Sequence, residues 1–212
     1  MQIPCILFFC VLAFLATLEV VSGTCEGDHA LSKCMGNYVS GFTSTSNDDL
    51  DDVSLHCKLD RELAVCIDHS LGYCYRSSSI LISLGRAVLS YVVFDRKLRV
   101  CPYKTYWGLY QKLRTGGSLS NTSSWDHKIN TLLHMSQYSY CAKQENIKCL
   151  KKFVQKMKKN PDVCTNIPFK SDCLKDATTR CSSGILKDLL NVFPEEANKV
   201  LSVLCKQPQD SG

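Results

Sequence analysis

Apolar residues recur along this chain at helical spacing. Cys34-Met35, Tyr38-Val39 and Phe42 sit at i, i+1, i+4, i+5 and i+8, which lines one face of an α-helix and which the period of two of a strand would not produce. Cys149-Leu150, Phe153-Val154 and Met157 repeat the set, so each marks the first helix of one of two similar units. A second helix is expected over Cys57 to Cys74, where Leu59, Leu63, Cys66, Ile67 and Leu71 keep close to a 3.6-residue period. In the later copy this helix is expected to begin near Pro168, with proline in its first turn. Ile80, Leu81, Leu84, Val88 and Tyr91 predict a third helix, matched by Ile185, Leu186, Leu189, Leu190 and Phe193. Pro194-Glu195-Glu196 reads as a fresh helix start, with Ala197, Val200, Leu201 and Leu204 continuing an apolar face. Val92-Val93-Phe94 is the single strand-like fragment. The expectation is an all-α fold with three to four short helices per unit.

The cysteines turn this likeness into a duplication. Cys57, Cys66 and Cys74 have the same spacing as Cys164, Cys173 and Cys181. Cys25 and Cys34 precede the first triplet as Cys141 and Cys149 precede the second, and Cys101 and Cys205 follow. The chain therefore reads as two tandem six-cysteine modules. Cysteines so spaced along one helix point to different sides, and each must reach a different neighbour. Modules this small bury too little apolar area to be secure without staples. Three disulfides at about 2 to 4 kcal/mol each would supply what a small core lacks. Which cysteine pairs with which stays open at this point.

The N-terminus sets the expected compartment. The run from Ile3 to Leu18 is uncharged, Glu19 ends it, and Val21-Ser22-Gly23 places small residues where a signal peptidase reads. It is short of the about 20 apolar residues that span a bilayer, so a cleaved signal peptide over 1–23 is expected. Cleavage removes Cys5 and Cys10 and leaves an even number of cysteines, the mark of a disulfide framework in an oxidising compartment. Module 1 is then expected over 24–101 and module 2 over 141–212. The intervening 102–140 reads as a linker. It holds a Gly/Ser-rich stretch from Thr115 to Ser124, a glycosylation sequon at Asn121-Thr122-Ser123, and a possible lead-in helix carrying Ile129, Leu132 and Leu133. Tyr103, Tyr106, Trp107 and Tyr110 gather aromatic surface before the loop, expected to cover module 1 and otherwise available for recognition.

Charge separates the halves. From Thr24 to Cys101 there are 8 basic and 10 acidic side chains; from Pro102 onward there are 17 and 9. Any attraction to an anionic partner therefore belongs to the second half. Its centre is the first helix of module 2, where Lys148, Lys151, Lys152, Lys156, Lys158 and Lys159 oppose Ile147, Leu150, Phe153, Val154 and Met157. Such a helix can lie on an anionic membrane or glycan, or it can bury its apolar side and offer the lysines alone. The first copy has the apolar positions without the lysines, which favours burial.

Nothing points to an enzyme, a cofactor or a metal. Asp68-His69 is superficially like the His-Asp of secreted phospholipases A2, but the double cysteine and the calcium loop of that family are absent. No nucleophile elbow, phosphate loop or zinc-protease motif occurs, nor any C-x-x-C pair in the mature chain. The acidic run Asn47 to Asp52 lacks the order of a calcium loop and is expected to be solvated and to cap the second helix. A basic cluster almost free of arginine, with no reading motif, argues against nucleic acid.

The cysteine spacing together with short amphipathic helices resembles a diffuse group of secreted, cysteine-rich helical proteins of invertebrates, found singly or in tandem. The resemblance spans nearly the whole mature chain and implies an extracellular, non-enzymatic protein. The expected function is binding to an extracellular protein or to an anionic surface. A membrane-active toxin or host-defence effector, and a carrier of a small hydrophobe, are the alternatives.

Overall fold

The computed structural model describes residues 27–74, 79–102, 106–116, 122–134 and 138–206. The region expected to be a signal peptide, Cys25 and Asn121 lie outside the described residues, as does the side chain of Cys74. Every regular element among the described residues is helical. Module 1 contributes α1 (Gly27–Gly41), α2 (Asp52–Cys74) and α3 (Ser79–Lys97). The intervening segment forms α4 (Trp107–Gly116) and α5 (Thr122–His134). Module 2 contributes α6 (Tyr140–Lys159), α7 (Val163–Arg180) and α8 (Gly184–Leu204).

Local chemistry explains several boundaries. The Asp51 carboxylate accepts from the backbone N–H of Val53 (2.9 Å) and Ser54 (3.1 Å), so the acidic run does cap α2. Bonds from Ser54 hold that carboxyl below its ordinary range. Ser139 caps α6 and Asp162 caps α7 in the same way. Two expectations fail at prolines. Pro168 lies well inside α7, which starts at Val163 under the Asp162 cap, and Pro194 lies inside a continuous α8. In each case the helix gives up one backbone bond and continues because its apolar side is pinned: Ile185, Leu189 and Phe193 before Pro194, and Ala197 and Val200 after it, are all buried. Val92-Val93-Phe94 is helical too, with all three residues in the core.

Five cystines are described, all within halves. Cys34–Cys66 and Cys57–Cys101 close module 1; Cys141–Cys181, Cys149–Cys173 and Cys164–Cys205 close module 2. Numbered along each ladder, both halves join second to fourth and third to sixth cysteine. The first-to-fifth bridge of module 2 has Cys25 and Cys74 as its sequence counterparts. Each bridge closes a loop of 24 to 44 residues, a length at which chain entropy alone gives about 3 to 4 kcal/mol.

The halves share one hydrophobic core. The most extensive helix contact is between α3 and α8, and α2 also packs on α6. Phe42 meets Phe153 edge to face across the junction (centroids 5.8 Å apart), as Tyr91 meets Phe193 (5.2 Å). The lead-in helix α5 packs on both α8 and α3, burying Trp125, Ile129 and Leu132. Helix α4, within the segment read as linker, covers α2 and α3. It can approach because Gly85 lacks a side chain: a Cβ there would stand 2.8 Å from a Leu113 methyl.

Candidate functional sites: a lysine ridge and a buried polar junction

Helix α6 carries seven lysines and one glutamate. Leu150, Phe153, Val154 and Met157 are buried and Ile147 is half-buried, so the apolar side is already occupied by the core. Lys148, Lys151, Lys152, Lys156, Lys158 and Lys159 all reach solvent. Lys148, Lys152, Lys156 and Lys159 follow one helical row; Lys151 and Lys158 follow the next. Some of this charge is spent internally. Lys158 pairs with Asp52 of α2 (3.0 Å), beside a Gln155 bond to the same carboxylate. Lys148 lies 4.0 Å from Glu145, whose carboxyl is held below its ordinary range chiefly by bonds from Arg180. Lys156 sits over the Phe169 ring at 4.3 Å. Among the described residues, Lys151, Lys152, Lys156 and Lys159 have no carboxylate within ion-pair distance. Lys156, Lys158 and Lys159 also occupy the last turn, where cations complement the helix dipole.

The second site is polar and lies inside the shared core. His56 and Asp60 come from α2, Tyr91 and Asp95 from α3, Asn146 from α6 and Lys170 from α7; all are buried. His56 Nε2 is 2.9 Å from Asp95 Oδ2 and 3.3 Å from Asp60 Oδ2. Asn146 donates from Nδ2 to Asp95 Oδ1 (2.6 Å), and the Tyr91 hydroxyl donates to Asn146 Oδ1 (3.3 Å). The Lys170 ammonium lies over the Tyr91 ring at 3.5 Å and the Phe153 ring at 4.7 Å. Burial lowers its pKa, opposed by the charges of Asp60 and Asp95. Burial raises the Tyr38 and Tyr91 phenols well above their ordinary value, reinforced by Asp60 at Tyr38 and by Asp95 at Tyr91.

The junction is shut off from solvent. Among the described residues His56 Nδ1 is buried and meets no hydroxyl or other partner, and no solvent reaches the ring. His69, the histidine that the sequence brings forward, is exposed, and its neighbour Asp68 is paired with Lys112 at 3.0 Å. Sequence reasoning missed His56, Asp60, Asp95, Asn146 and Lys170. The available signal was a polar residue on an otherwise apolar helix row where the other module has an apolar one: Val163 matches His56, Ile167 matches Asp60, Leu63 matches Lys170, and Leu31 matches Asn146.

A cavity of about 60 Å³ adjoins the junction, lined by Met35, Leu63, Ala87, Phe193 and Lys170 among others. It is well below the roughly 150 Å³ known to admit benzene, so this cavity by itself has no room for a lipid.

No family model, curated protein or solved structure matches the chain. The functional reading therefore rests on the chain's own geometry.

Proposed function

We propose that the protein is a secreted, non-enzymatic binding protein that engages an anionic surface through the lysine ridge of α6. The observation that carries this is the helix itself: six exposed lysines and a single glutamate, four of those lysines without a carboxylate partner among the described residues, and an apolar side consumed by the core. Five cystines suit an oxidising compartment. No helix among the described residues is long and apolar enough to cross a membrane. The spacing-level resemblance to secreted invertebrate proteins points the same way.

Binding by such a ridge works through charge. The apolar residues that a membrane-inserting helix would use are the ones that hold the modules together, so contact with an anionic glycan or phospholipid headgroup stays at the surface. It therefore weakens with salt, because a Debye length of about 8 Å at physiological ionic strength screens exposed charges.

The test is retention on immobilised heparin and on anionic vesicles over a salt gradient. The expected result is binding near physiological salt, lost on raising salt, and lost in the quadruple variant K151E/K152E/K156E/K159E without a change in helicity. Heparin retention alone identifies a glycan partner, and vesicle retention without dye leakage identifies headgroups. Binding unchanged by salt or by the quadruple variant would remove the reading, and leakage would favour a membrane-active effector.

A further inference from the structure

The same cystine closes each module between its third and sixth cysteine, yet the two have different surroundings. Around Cys57–Cys101 stand His56, Asp60 and Asp95. Around Cys164–Cys205 the ladder puts Val163 and Ile167 opposite His56 and Asp60, and laying Ile80, Leu81 and Leu84 of α3 on Ile185, Leu186 and Leu189 of α8 puts Val200 opposite Asp95. Cys101 Sγ lies 3.8 Å from Asp95 Oδ2, and His56 Nε2, an Asp95 oxygen and Cys101 Sγ all fall within 4.8 Å of one another. Asp60 Oδ2 stands 3.3 Å from the same imidazole nitrogen. While the cystine is closed its sulfur is a poor ligand, and the cluster is a hydrogen-bonded core element.

The geometry points to a zinc site that forms when the Cys57–Cys101 cystine is opened. Zinc takes imidazole nitrogen at about 2.0 Å, carboxylate oxygen at about 2.1 Å and thiolate sulfur at about 2.3 Å in a tetrahedron, which places neighbouring donors roughly 3.3 to 3.7 Å apart. Three donors already converge: His56 Nε2 and Asp95 Oδ2 at 2.9 Å and Asp95 Oδ2 and Cys101 Sγ at 3.8 Å need shifts of only a few tenths of an ångström, whereas Asp60, 3.3 Å from the imidazole nitrogen, has to swing in as the fourth. Charge balances as well. A Cys101 thiolate and two aspartates carry three negative charges; the divalent ion and the Lys170 ammonium carry three positive ones. The mixed nitrogen, oxygen and sulfur donor set suits zinc better than calcium or magnesium.

The opening step is exchange with a dithiol. Cys57 lines a broad surface concavity with Val53, Arg61, Val65 and Val100, whereas Cys101 is buried. A dithiol's thiolate therefore attacks Cys57 Sγ. The Cys57–Cys101 bond breaks, Cys101 leaves as thiolate toward His56, and the dithiol's second sulfur displaces Cys57 as a thiol. The dithiol is oxidised by two electrons and the protein cystine is reduced by two. One of the two thiol protons ends on Cys57 and the other enters solvent as the metal takes the Cys101 thiolate. The His56 ring proton moves to Nδ1, freeing Nε2 for the metal.

Paired cysteine variants test this without any reductant. Cys57→Ser and Cys101→Ser abolish the same cystine and leave one free thiol each, but only the first leaves it facing His56. With cobalt(II) as the spectroscopic stand-in, C57S is expected to bind one equivalent with a thiolate-to-cobalt charge-transfer band that zinc abolishes. C101S, the module 2 control C164S, and the native oxidised protein should show no band. Adding His56→Gln or Asp95→Asn to C57S should weaken binding at least about 100-fold, more than loss of an outer-shell group would. Equal bands from C57S and C101S, or no band from folded C57S, would overturn the proposal. Should C57S fail to fold by circular dichroism, Cys57→Ala gives the same reading, with Cys101→Ala the negative control. The outcome is independent of the lysine ridge.

Discussion

Module 1 and module 2 share a cysteine ladder, a pairing order and three helices, and they differ most where they touch each other. Module 1 brings an imidazole and two carboxylates to the junction; module 2 brings an amide and an ammonium. On the outside the contrast is in charge: α1 has no lysine row and α6 has six solvent-facing lysines along its exposed side. The two halves thus have matching core rows and staples, while differing polar residues make them complementary in one place and unlike in another. Buried ionic groups are weak sources of net stability. We hypothesise that their use here is to select one docking of two similar surfaces, since pairing module 1 with a second module 1 would bring carboxylates together without a cation.

The sharpest way to break this comparison is to substitute matching positions. Asp95→Ala leaves His56, Asn146 and Lys170 buried and unbalanced and is expected to cost about 3 to 5 kcal/mol. Val200→Ala, at the matching place in α8, removes only two methyls and should cost about 1 to 3 kcal/mol. Urea unfolding of both variants decides it; equal losses would mean the junction is ordinary core.

Alkaline titration gives an intermediate effect. Tyr38 and Tyr91 have raised pKa values in the folded state, so the stability they contribute is complete below the unfolded value near 10.0 and declines as pH climbs toward the folded values. Lys170 has the opposite sign: its folded pKa is lowered, so its contribution becomes more favourable from that pKa up to 10.5 and is level beyond. Above that point the tyrosines act together with Lys199, whose pKa is raised, in spite of burial, by its bonds to Glu196 and Glu195, and the midpoint of thermal unfolding should fall. Tyr38→Phe, which copies Phe153 of module 2, should reduce the fall; a fall unchanged in Tyr38→Phe/Tyr91→Phe would assign it elsewhere.

The smallest effect concerns how α3 ends. Arg99 has φ of 54°, the one non-glycine residue in the left-handed region among those described. It closes the helix with Val100 N–H bonding Asp95 O at 2.9 Å and turns the chain toward Cys101. Module 2 ends α8 at Cys205 with φ of −103° and needs no such residue. Arg99→Gly should therefore stabilise by about 1 kcal/mol, less whatever the Arg99 contact over the Tyr138 ring contributes. A destabilised variant would show that this stacking outweighs the backbone strain.

The chain's own order of residues determined the helix faces, the matching cysteine spacing of the two halves and the grouping of cysteines by half. Those features depend on neighbours within a few turns or on spacing that repeats. The lysine row of α6 was legible for the same reason, and the repeat also indicated that its apolar side belongs to the core. Only the packed structure decided that α7 and α8 run through Pro168 and Pro194, because tertiary contacts on both sides of each proline outweigh one missing backbone bond. It alone also assembled His56, Asp60, Asp95, Asn146 and Lys170. Partners 39 positions apart meet when α2 packs on α3 within the first half, and partners 51 apart become neighbours only when the two halves close on each other and exclude water.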